Sequence, residues 1–396
     1  MGQARNHWRI AVTAGDGIGS EVINATLEVL EVLRERSGMA LEWQMFPWPS
    51  TDWHRQHGEM MPDDAVDTLR GFDAILLGAL GDPGPLDDPQ RYVLADGISL
   101  SPLLTLRKQL DLWACERPAR LRQGAPRYLA DPRAADVDML VIRENSEGEY
   151  VNQGGRLRAG QADEVATQLE VFTASATERL IRHAFERARQ RQLSRQQNNQ
   201  PRRYRDARGG EHGGEKEAQV CLITKRNAQR HWGEMYCDIF DRVAQDYPDI
   251  GTHHELVDAA CMKFVQQPWI FDVVVASNLH GDILTDLAAV LSGGMGVAPS
   301  ANINPADRRV PALFEPTHGS APDIAGKGIA DPRATLFSAL MLLEWIAEED
   351  ATFSEPARML DRALCHDLSM QQDAQQKQPR GTSEISKDII AALNRD

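Results

Sequence analysis

The stretch FDVVVASNLHGDILTDLAAVL, residues 271–291, runs from an apolar strand pattern directly into a helical one. Its first nine residues are valine-rich and end in polar side chains, as in a strand buried on both faces. Similar apolar segments that predict strands occupy residues 7–12, 72–80, 139–145 and 219–227. Helical patterns follow several of these strands, as at 176–189 and 331–349. This alternation predicts an α/β fold with a largely parallel sheet, whose ligands bind beyond the carboxyl ends of the strands.

Two carboxylates four residues apart lie in the helical half of the opening stretch. Asp282 and Asp286 share one face of that predicted helix, close to its start. They could simply complement the positive end of the helix dipole. They could equally bind a hard cation, since carboxylate oxygens suit Mg²⁺ or Mn²⁺, with Asp258 as a third ligand. The residues alone leave both interpretations open.

Basic and phenolic side chains recur beside the predicted apolar elements. Arg107, Arg117 and Arg143 each lie in an apolar context. One such arginine is usually a surface or salt-bridge residue, whereas three indicate a clamp that grips carboxylates with planar guanidinium groups. Lys225 and Tyr150 follow predicted strands, and near a metal they would make an acid–base pair.

Residues 315–332 are dense in glycine, proline and aspartate. Their glycines would let the backbone approach a ligand closely, although a long ordered surface loop has the same composition. The other glycine turn, AGDGIGSEV at 14–22, lacks the last glycine of the dinucleotide fingerprint. By itself it predicts only a strand-to-helix turn.

The composition excludes several classes of protein. The formal net charge of −15 disfavours a general nucleic-acid-binding surface. No apolar run is long enough to span a membrane, and the first residues lack the apolar core of a secretory signal. The five cysteines are scattered without metal-binding spacing, which favours free thiols in a reducing compartment. We therefore expect a cytoplasmic protein.

Residues 190–217 contain almost nothing apolar and include six arginines. Such a composition predicts a solvated, flexible and partly disordered insertion between a helix and a strand. The alternative is a patch that docks an anionic partner.

Five segments together carry a family resemblance: 14–22 (AGDGIGSEV), 106–118 (LRKQLDLWACERP), 141–150 (VIRENSEGEY), 271–286 (FDVVVASNLHGDILTD) and 314–332 (FEPTHGSAPDIAGKGIADP). In these segments the sequence resembles the isocitrate/isopropylmalate/tartrate dehydrogenase family of metal-dependent decarboxylating dehydrogenases. The segments follow one another in the family's order and leave out little of the chain except the insertion. This resemblance is specific because it rests on several motifs in sequence.

The resemblance implies a two-domain isopropylmalate-dehydrogenase-like α/β fold with an interdomain cleft, and not a Rossmann fold. Residues 1–112 and 293–396 would form the cofactor-side domain. Residues 113–292 would form the second domain, with the dimerisation elements and the insertion. It also implies a homodimer whose active sites use residues of both subunits.

The resemblance also implies roles for individual residues. Arg107, Arg117 and Arg143 would bind the substrate carboxylates, and Asp282 and Asp286 would bind Mg²⁺ or Mn²⁺ with Asp258 of the other subunit. Lys225, also from the other subunit, would assist deprotonation of the hydroxyl, and Tyr150 would protonate the enol after CO₂ leaves. The residues expected to bind the cofactor are His318, Gly319, Ser320, Ala321, Asp323 and Asp331. Asp323 would accept hydrogen bonds from the adenosine ribose and repel a 2′-phosphate, which predicts NAD over NADP.

Departures from the family pattern bear on the cofactor and the substrate. Asp331 replaces the usual Asn and can only accept hydrogen bonds, so we expect weaker NAD binding. His280 replaces a common aromatic residue, without a predicted effect. Leu103 and Leu104, just before the first clamp arginine, disfavour isocitrate, and the motif forms resemble the tartrate/D-malate branch. The alternatives are 3-isopropylmalate, which would also suit a leucine pair, and a non-catalytic regulatory subunit, which the intact set of predicted site residues disfavours.

Overall fold

The computed structural model describes residues 7–82, 93–208, 214–373 and 380–395. The strands are β1 Trp8–Gly15, β2 Leu41–Phe46, β3 Ala74–Ala79, β4 Ala114–Arg120, β5 Asp138–Glu144, β6 Gly154–Leu157, β7 Val165–Gln168, β8 Tyr204–Arg205, β9 Glu215–Lys216, β10 Gln219–Thr224, β11 Gly251–Leu256, β12 Val273–Ala276, β13 Pro299–Ile303 and β14 Ala312–Pro316. The α-helices are α1 Gly19–Ser37, α2 Thr51–His57, α3 Ala65–Leu69, α4 Asp96–Ser99, α5 Ser101–Gln109, α6 Ala174–Gln197, α7 Arg230–Ala244, α8 Val257–Gln266, α9 Asn278–Leu291, α10 Arg333–Ala347, α11 Ser354–Asp373 and α12 Thr382–Leu393. None of the helices in these ranges combines the length and apolar character that crossing a bilayer requires.

The first compact unit comprises Met1–Leu112, Arg120–Ala135 and Ala289–Asp396. Its strands lie in the order β2-β1-β3-β14-β13. Neighbours are parallel except for the antiparallel pair β13 and β14. The central strand β3 is buried along its whole length, as its continuous apolar run predicts.

The second compact unit comprises Trp113–Ala119 and Asp136–Ala288. Its strands lie in the order β4-β5-β12-β10-β11, and the pairs joining β5, β12, β10 and β11 are parallel. The predicted domain boundaries differ from this division, because residues 120–135 and 289–292 belong to the first unit. The chain therefore crosses between the units more often than the family pattern had suggested.

Residues 271–291 form a strand followed by a helix, as predicted, but the helix begins earlier than expected. The strand β12 ends at Ala276 and α9 already begins at Asn278. Asp282 therefore lies beyond the first turn of the helix. That first turn contains no acidic residue. A favourable interaction with the helix dipole falls off within the first turn, so that alternative no longer explains the two carboxylates.

The described part of the 190–217 insertion forms regular secondary structure. The helix α6 continues to Gln197, and the segment then forms the small antiparallel pair of β8 and β9. The side chain of Asp272, with no exposed surface, accepts hydrogen bonds from Arg191 and Arg195. These buried ion pairs replace the apolar contacts that the composition lacks.

Candidate active site

The carboxylate of Asp282 is the centre of a charged cluster in the second unit. It accepts hydrogen bonds from Nη1 of Arg143 and from Nη1 of Arg117, the latter at 3.4 Å. The hydroxyl of Tyr150 donates to its other oxygen at 2.6 Å. The structure thus brings together two of the three predicted clamp arginines, the predicted acid and a predicted metal ligand.

Neighbouring elements fix the two arginines in this cluster. Arg143, only 2% exposed, donates from Nε and Nη2 to the side-chain oxygen of Asn278 at 3.1 and 2.7 Å. Gly281 must lack a side chain here, since a Cβ atom would lie 2.7 Å from Cγ of Arg143. Arg117 donates to the hydroxyl of Thr285 at 2.7 Å. The guanidinium groups are therefore held in place before any ligand binds.

Asp286 lies one turn after Asp282 on α9 and is more open, with 64% of its side chain exposed. Partial burial of its carboxylate raises its pKa, and the negative charge of Asp282 raises it further, although Arg117 opposes both effects. A divalent cation at the two carboxylates would supply the missing positive charge, and oxygen donors suit Mg²⁺ and Mn²⁺. The residues present fit such an ion.

The other predicted partners of the metal chemistry form a separate pair. Nζ of Lys225, at the end of β10, donates to a carboxylate oxygen of Asp258 at 2.7 Å, and this ion pair lowers the pKa of Asp258. Among the described residues of one chain, no three acidic, histidine or cysteine side chains form a metal-binding group. The predicted third ligand is thus not assembled within a single chain.

Arg107 and the two leucines lie on α5 in the first unit. The buried guanidinium of Arg107 donates to Glu315 at 3.0 Å, and Asn302 donates to the same carboxylate oxygen at 2.9 Å. Leu103 packs partly against the hydrophobic core of this unit, whereas Leu104 is exposed. Of the pair, Leu104 has the greater free surface for a ligand.

The glycine-rich segment 318–331 packs on the turn that precedes α1. The amide of Ile18 donates to the carbonyl of Ser320 at 2.8 Å. Gly17 has φ +54°, and a Cβ atom there would lie only 1.9 Å from that carbonyl oxygen. Ala321 also adopts a left-handed backbone, with φ 39°. The two glycine motifs of the sequence are therefore one structural unit, in which close backbone approach requires glycine.

The side chains predicted to bind the cofactor differ in their surroundings. Asp323 and Gly319 are exposed. Burial lowers the pKa of His318, whose Nδ1 lies 3.0 Å from the carbonyl oxygen of Gly319. Asp331, at the end of the segment, is paired with Arg333. An exposed carboxylate fits the hydroxyls of a ribose, and backbone that glycine leaves open fits the phosphates of a dinucleotide.

Several residues that support the site escaped the sequence analysis. Glu149 accepts hydrogen bonds from the Ser277 hydroxyl and the Leu279 amide, and so satisfies the start of α9. Asn278 and Glu315 hold clamp arginines, as described above. His280, which had no predicted effect, is buried with its ring 5.7 Å from that of Trp232. All four lie within the quoted family motifs, which was the sequence signal that could have found them.

Comparison with known proteins identifies a family whose model matches most of the chain. The model of the isocitrate/isopropylmalate dehydrogenase family matches residues 9–198 and 210–389. The chain belongs to this family. The resemblance drawn from the five motifs is thereby confirmed, and the protein is an oxidoreductase.

Curated relatives in the family differ in substrate but hardly in similarity. The chain is 41% identical over 352 residues to D-malate dehydrogenase [decarboxylating] of Escherichia coli, covering 88% of this chain and 87% of the relative. It is 42% identical over 345 residues to a probable tartrate dehydrogenase/decarboxylase of Agrobacterium vitis, covering 87% of each. It is 40% identical over 381 residues to 3-isopropylmalate dehydrogenase of Thermobifida fusca, covering 96% of each. These identities are too close together to select a substrate.

A solved structure supports the fold. The crystal structure of isocitrate dehydrogenase from Methylococcus capsulatus matches with a TM-score of 0.76 and 31% identity, covering 98% of this chain and 99% of that chain. The predicted isopropylmalate-dehydrogenase-like fold, distinct from a Rossmann fold, is therefore confirmed.

Proposed function

We propose that this protein catalyses the NAD-dependent oxidative decarboxylation of a D-malate-type 2-hydroxy dicarboxylate, namely tartrate or D-malate. The observation that carries the proposal is the cluster around Asp282, where two arginines and a tyrosine converge on one carboxylate. Positive charge for a dianionic substrate, an ionisable hydroxyl and a pair of carboxylates for a metal occur together there.

The arginines would bind and orient the substrate. Arg117 and Arg143 offer guanidinium groups that their neighbours hold in fixed orientations, and such planar donors grip carboxylates at two points. We assign Arg107 the same role. The protein has a net charge of −15, but these arginines provide the local positive charge that an anionic substrate requires.

Tyr150 and Lys225 would transfer the protons. The Tyr150 hydroxyl is already hydrogen-bonded, and its ring lies 5.2 Å below the guanidinium of Arg143, so its orientation is set. We propose that it donates a proton to the carbon from which CO₂ has left. Lys225 of the partner subunit, beside Asp258, would assist deprotonation of the substrate hydroxyl.

Two bound groups complete the chemistry. When bound by Asp282, Asp286 and Asp258 of the partner subunit, Mg²⁺ or Mn²⁺ would polarise the substrate's hydroxyl and carboxylate, and NAD at 318–331 would accept the hydride. The exposed Asp323 favours NAD because it would repel a 2′-phosphate.

A homodimer is part of the proposal, and exposed apolar side chains on α8 and α9 support it. Met262 and Ile283 are 58% and 54% exposed, and Leu279 and Val290 are exposed on the same stripe of α9 as Ile283. A second copy that covered this face would bury apolar surface beside the helices that carry the predicted metal ligands. The enzyme would act in the cytoplasm.

The alternative substrate is 3-isopropylmalate, which the exposed Leu104 favours because it could contact an isopropyl group. The test measures NADH formation by the purified protein with Mn²⁺ or Mg²⁺, side by side on D-malate, tartrate, 3-isopropylmalate and isocitrate. We expect the highest kcat/KM on D-malate or tartrate, CO₂ release in proportion to NADH, and loss of activity in excess chelator. Full turnover in chelator, or no turnover on any of the four acids, would refute the proposal. A clear preference for 3-isopropylmalate would select the alternative.

A further inference from the structure

A chain of alternating charges begins at Asp331 and lies within the first unit. Nε of Arg333 donates to Asp367 at 2.7 Å. The same carboxylate accepts from Nη1 of Arg380 at 2.6 Å, and Arg380 also donates to Asp388 at 2.7 Å. The Arg333 side chain is 2% exposed and that of Asp367 is fully buried. A buried cation of this kind is tolerated only where carboxylates pair with it.

Arg333 donates hydrogen bonds to both carboxylate oxygens of Asp331. Its backbone amide donates to Oδ1 at 3.0 Å and its Nη1 to Oδ2 at 2.9 Å. Burial raises the pKa of Asp331, and Arg333 opposes that effect. Arg333 thus neutralises the Asp331 carboxylate and holds it at two points. The expectation that Asp331 binds NAD more weakly than the usual Asn did not take this ion pair into account.

The paired carboxylate closes the segment to which the proposed function assigns NAD. Thr382, at the start of α12, donates to the Ala330 carbonyl at 2.6 Å, so the backbone is fixed immediately before Asp331. At the other end of the segment, the charge of Asp331 raises the pKa of His318, against the larger effect of burial. A change in the charge or position of Asp331 therefore acts on both ends of the segment.

We propose that Arg333 is a positioning residue for the dinucleotide: it neutralises Asp331 and fixes the carboxylate so that the 318–331 segment accepts the adenosine half. An unpaired carboxylate there would repel the phosphates of an anionic cofactor. This inference rests on the proposed function. Asp331 and Arg333 then act as a unit, and changing one alone is worse than changing both.

The experiment measures the Kd of NADH for the full-length protein by fluorescence, without turnover, in a double-mutant cycle. We expect Arg333→Met to weaken NADH binding at least tenfold, because Asp331 loses its counter-charge. Asp331→Asn alone should not tighten binding, since it leaves the Arg333 cation with one acid fewer. The double variant Asp331→Asn/Arg333→Met should return the Kd to within about threefold of the wild type, since the amide needs no counter-ion and Asp367 keeps Arg380.

Arg380→Met is the matched control, because Arg380 belongs to the same charge chain but does not hydrogen-bond to Asp331, on which its charge acts less strongly than that of Arg333. It should lower the urea midpoint as Arg333→Met does, but leave the NADH Kd within twofold. Arg333→Lys, which retains the charge, provides a milder variant should the methionine variant not fold, and should weaken binding less than tenfold.

Four results would overturn the inference. Arg333→Met and Arg380→Met could weaken NADH binding equally, which would indicate a general structural role. The double variant could bind no better than Arg333→Met alone. Wild-type Kd values for all the variants would refute the inference while leaving the proposed function intact, whereas a wild-type protein that binds no NADH would refute both.

Discussion

The buried carboxylate of Glu116 allows a stability prediction to be worked through from the structure. Glu116 lies on β4, with an oxygen 2.7 Å from Nε2 of His183 and 2.9 Å from Nε of Arg187. Burial alone would raise the pKa of Glu116, but Arg187 and His183 outweigh it and lower that pKa to about 2. The ionised carboxylate is therefore more stable in the folded protein than in the unfolded chain.

The size of this contribution follows from the two pKa values. An ordinary glutamate has a pKa of about 4.5, and a tenfold change in proton affinity corresponds to about 1.4 kcal/mol. Ionised Glu116 thus contributes on the order of 3 kcal/mol to the free energy of unfolding. Because the folded-state pKa is the lower one, the contribution is fully present above pH about 4.5. It is lost as the pH falls from there towards about 2.

The assay compares Glu116→Gln with the wild type by urea unfolding at several pH values between 7 and 3. We expect the variant to be less stable by about 3 kcal/mol at pH 7, and the difference to shrink steadily below pH 4.5. Glu178→Gln is the control, because Glu178 also has two basic partners, Arg182 and Arg242, but lies at the surface, where solvent screens the interaction. A difference that stays constant down to pH 3, or that Glu178→Gln reproduces, would refute the reasoning.

Three further predictions concern other parts of the molecule. Asp272→Asn should lower the free energy of unfolding by about 3–5 kcal/mol, because it leaves buried arginines without their counter-charge. Asp249→Asn, at a half-exposed ion pair, should change the free energy of unfolding little in the same urea titration. Gly17→Ala should weaken NADH binding at least tenfold, because its Cβ atom would lie 1.9 Å from a backbone oxygen; Gly38→Ala, also at positive φ but with open space around it, should leave the Kd unchanged. Tyr150→Phe should reduce kcat at least 100-fold while the KM for the dicarboxylate changes less than threefold, and a loss confined to KM would show that the hydroxyl only binds substrate.

The sequence predicted the fold class and the constellation around Asp282 because both depend on local patterns. Apolar runs that end in polar residues located the strands, and the four-residue spacing of Asp282 and Asp286 placed them on one helical face. Arg117 and Arg143 were recognisable as cations within apolar strands. Their convergence on one carboxylate depends on β4 and β5 lying side by side in the sheet, which local patterns do not show.

The features that the sequence did not predict depend on partners far apart along the chain. Asp272 pairs with arginines about 80 positions away, so the 190–217 segment had the composition of a disordered region although its helical part is anchored. Arg333 directly follows the last recognised motif, and its role depends on Asp367 in another helix. Side-chain pairings of this kind leave no periodic signal. The functional roles of the site residues stay predictions until the variants are assayed.

The strand β4 also constrains how this protein can change. Adjacent side chains of a strand point to opposite sides, so Glu116 reaches His183 and Arg187 of α6 while Arg117 reaches Asp282 and Thr285. Inserting or deleting one residue upstream within the strand would exchange these directions. Glu116 would then face the acidic Asp282, and Arg117 would face the basic Arg187. Divergence among descendants of this sequence should therefore proceed here by substitution, with length changes confined to the loops at either end.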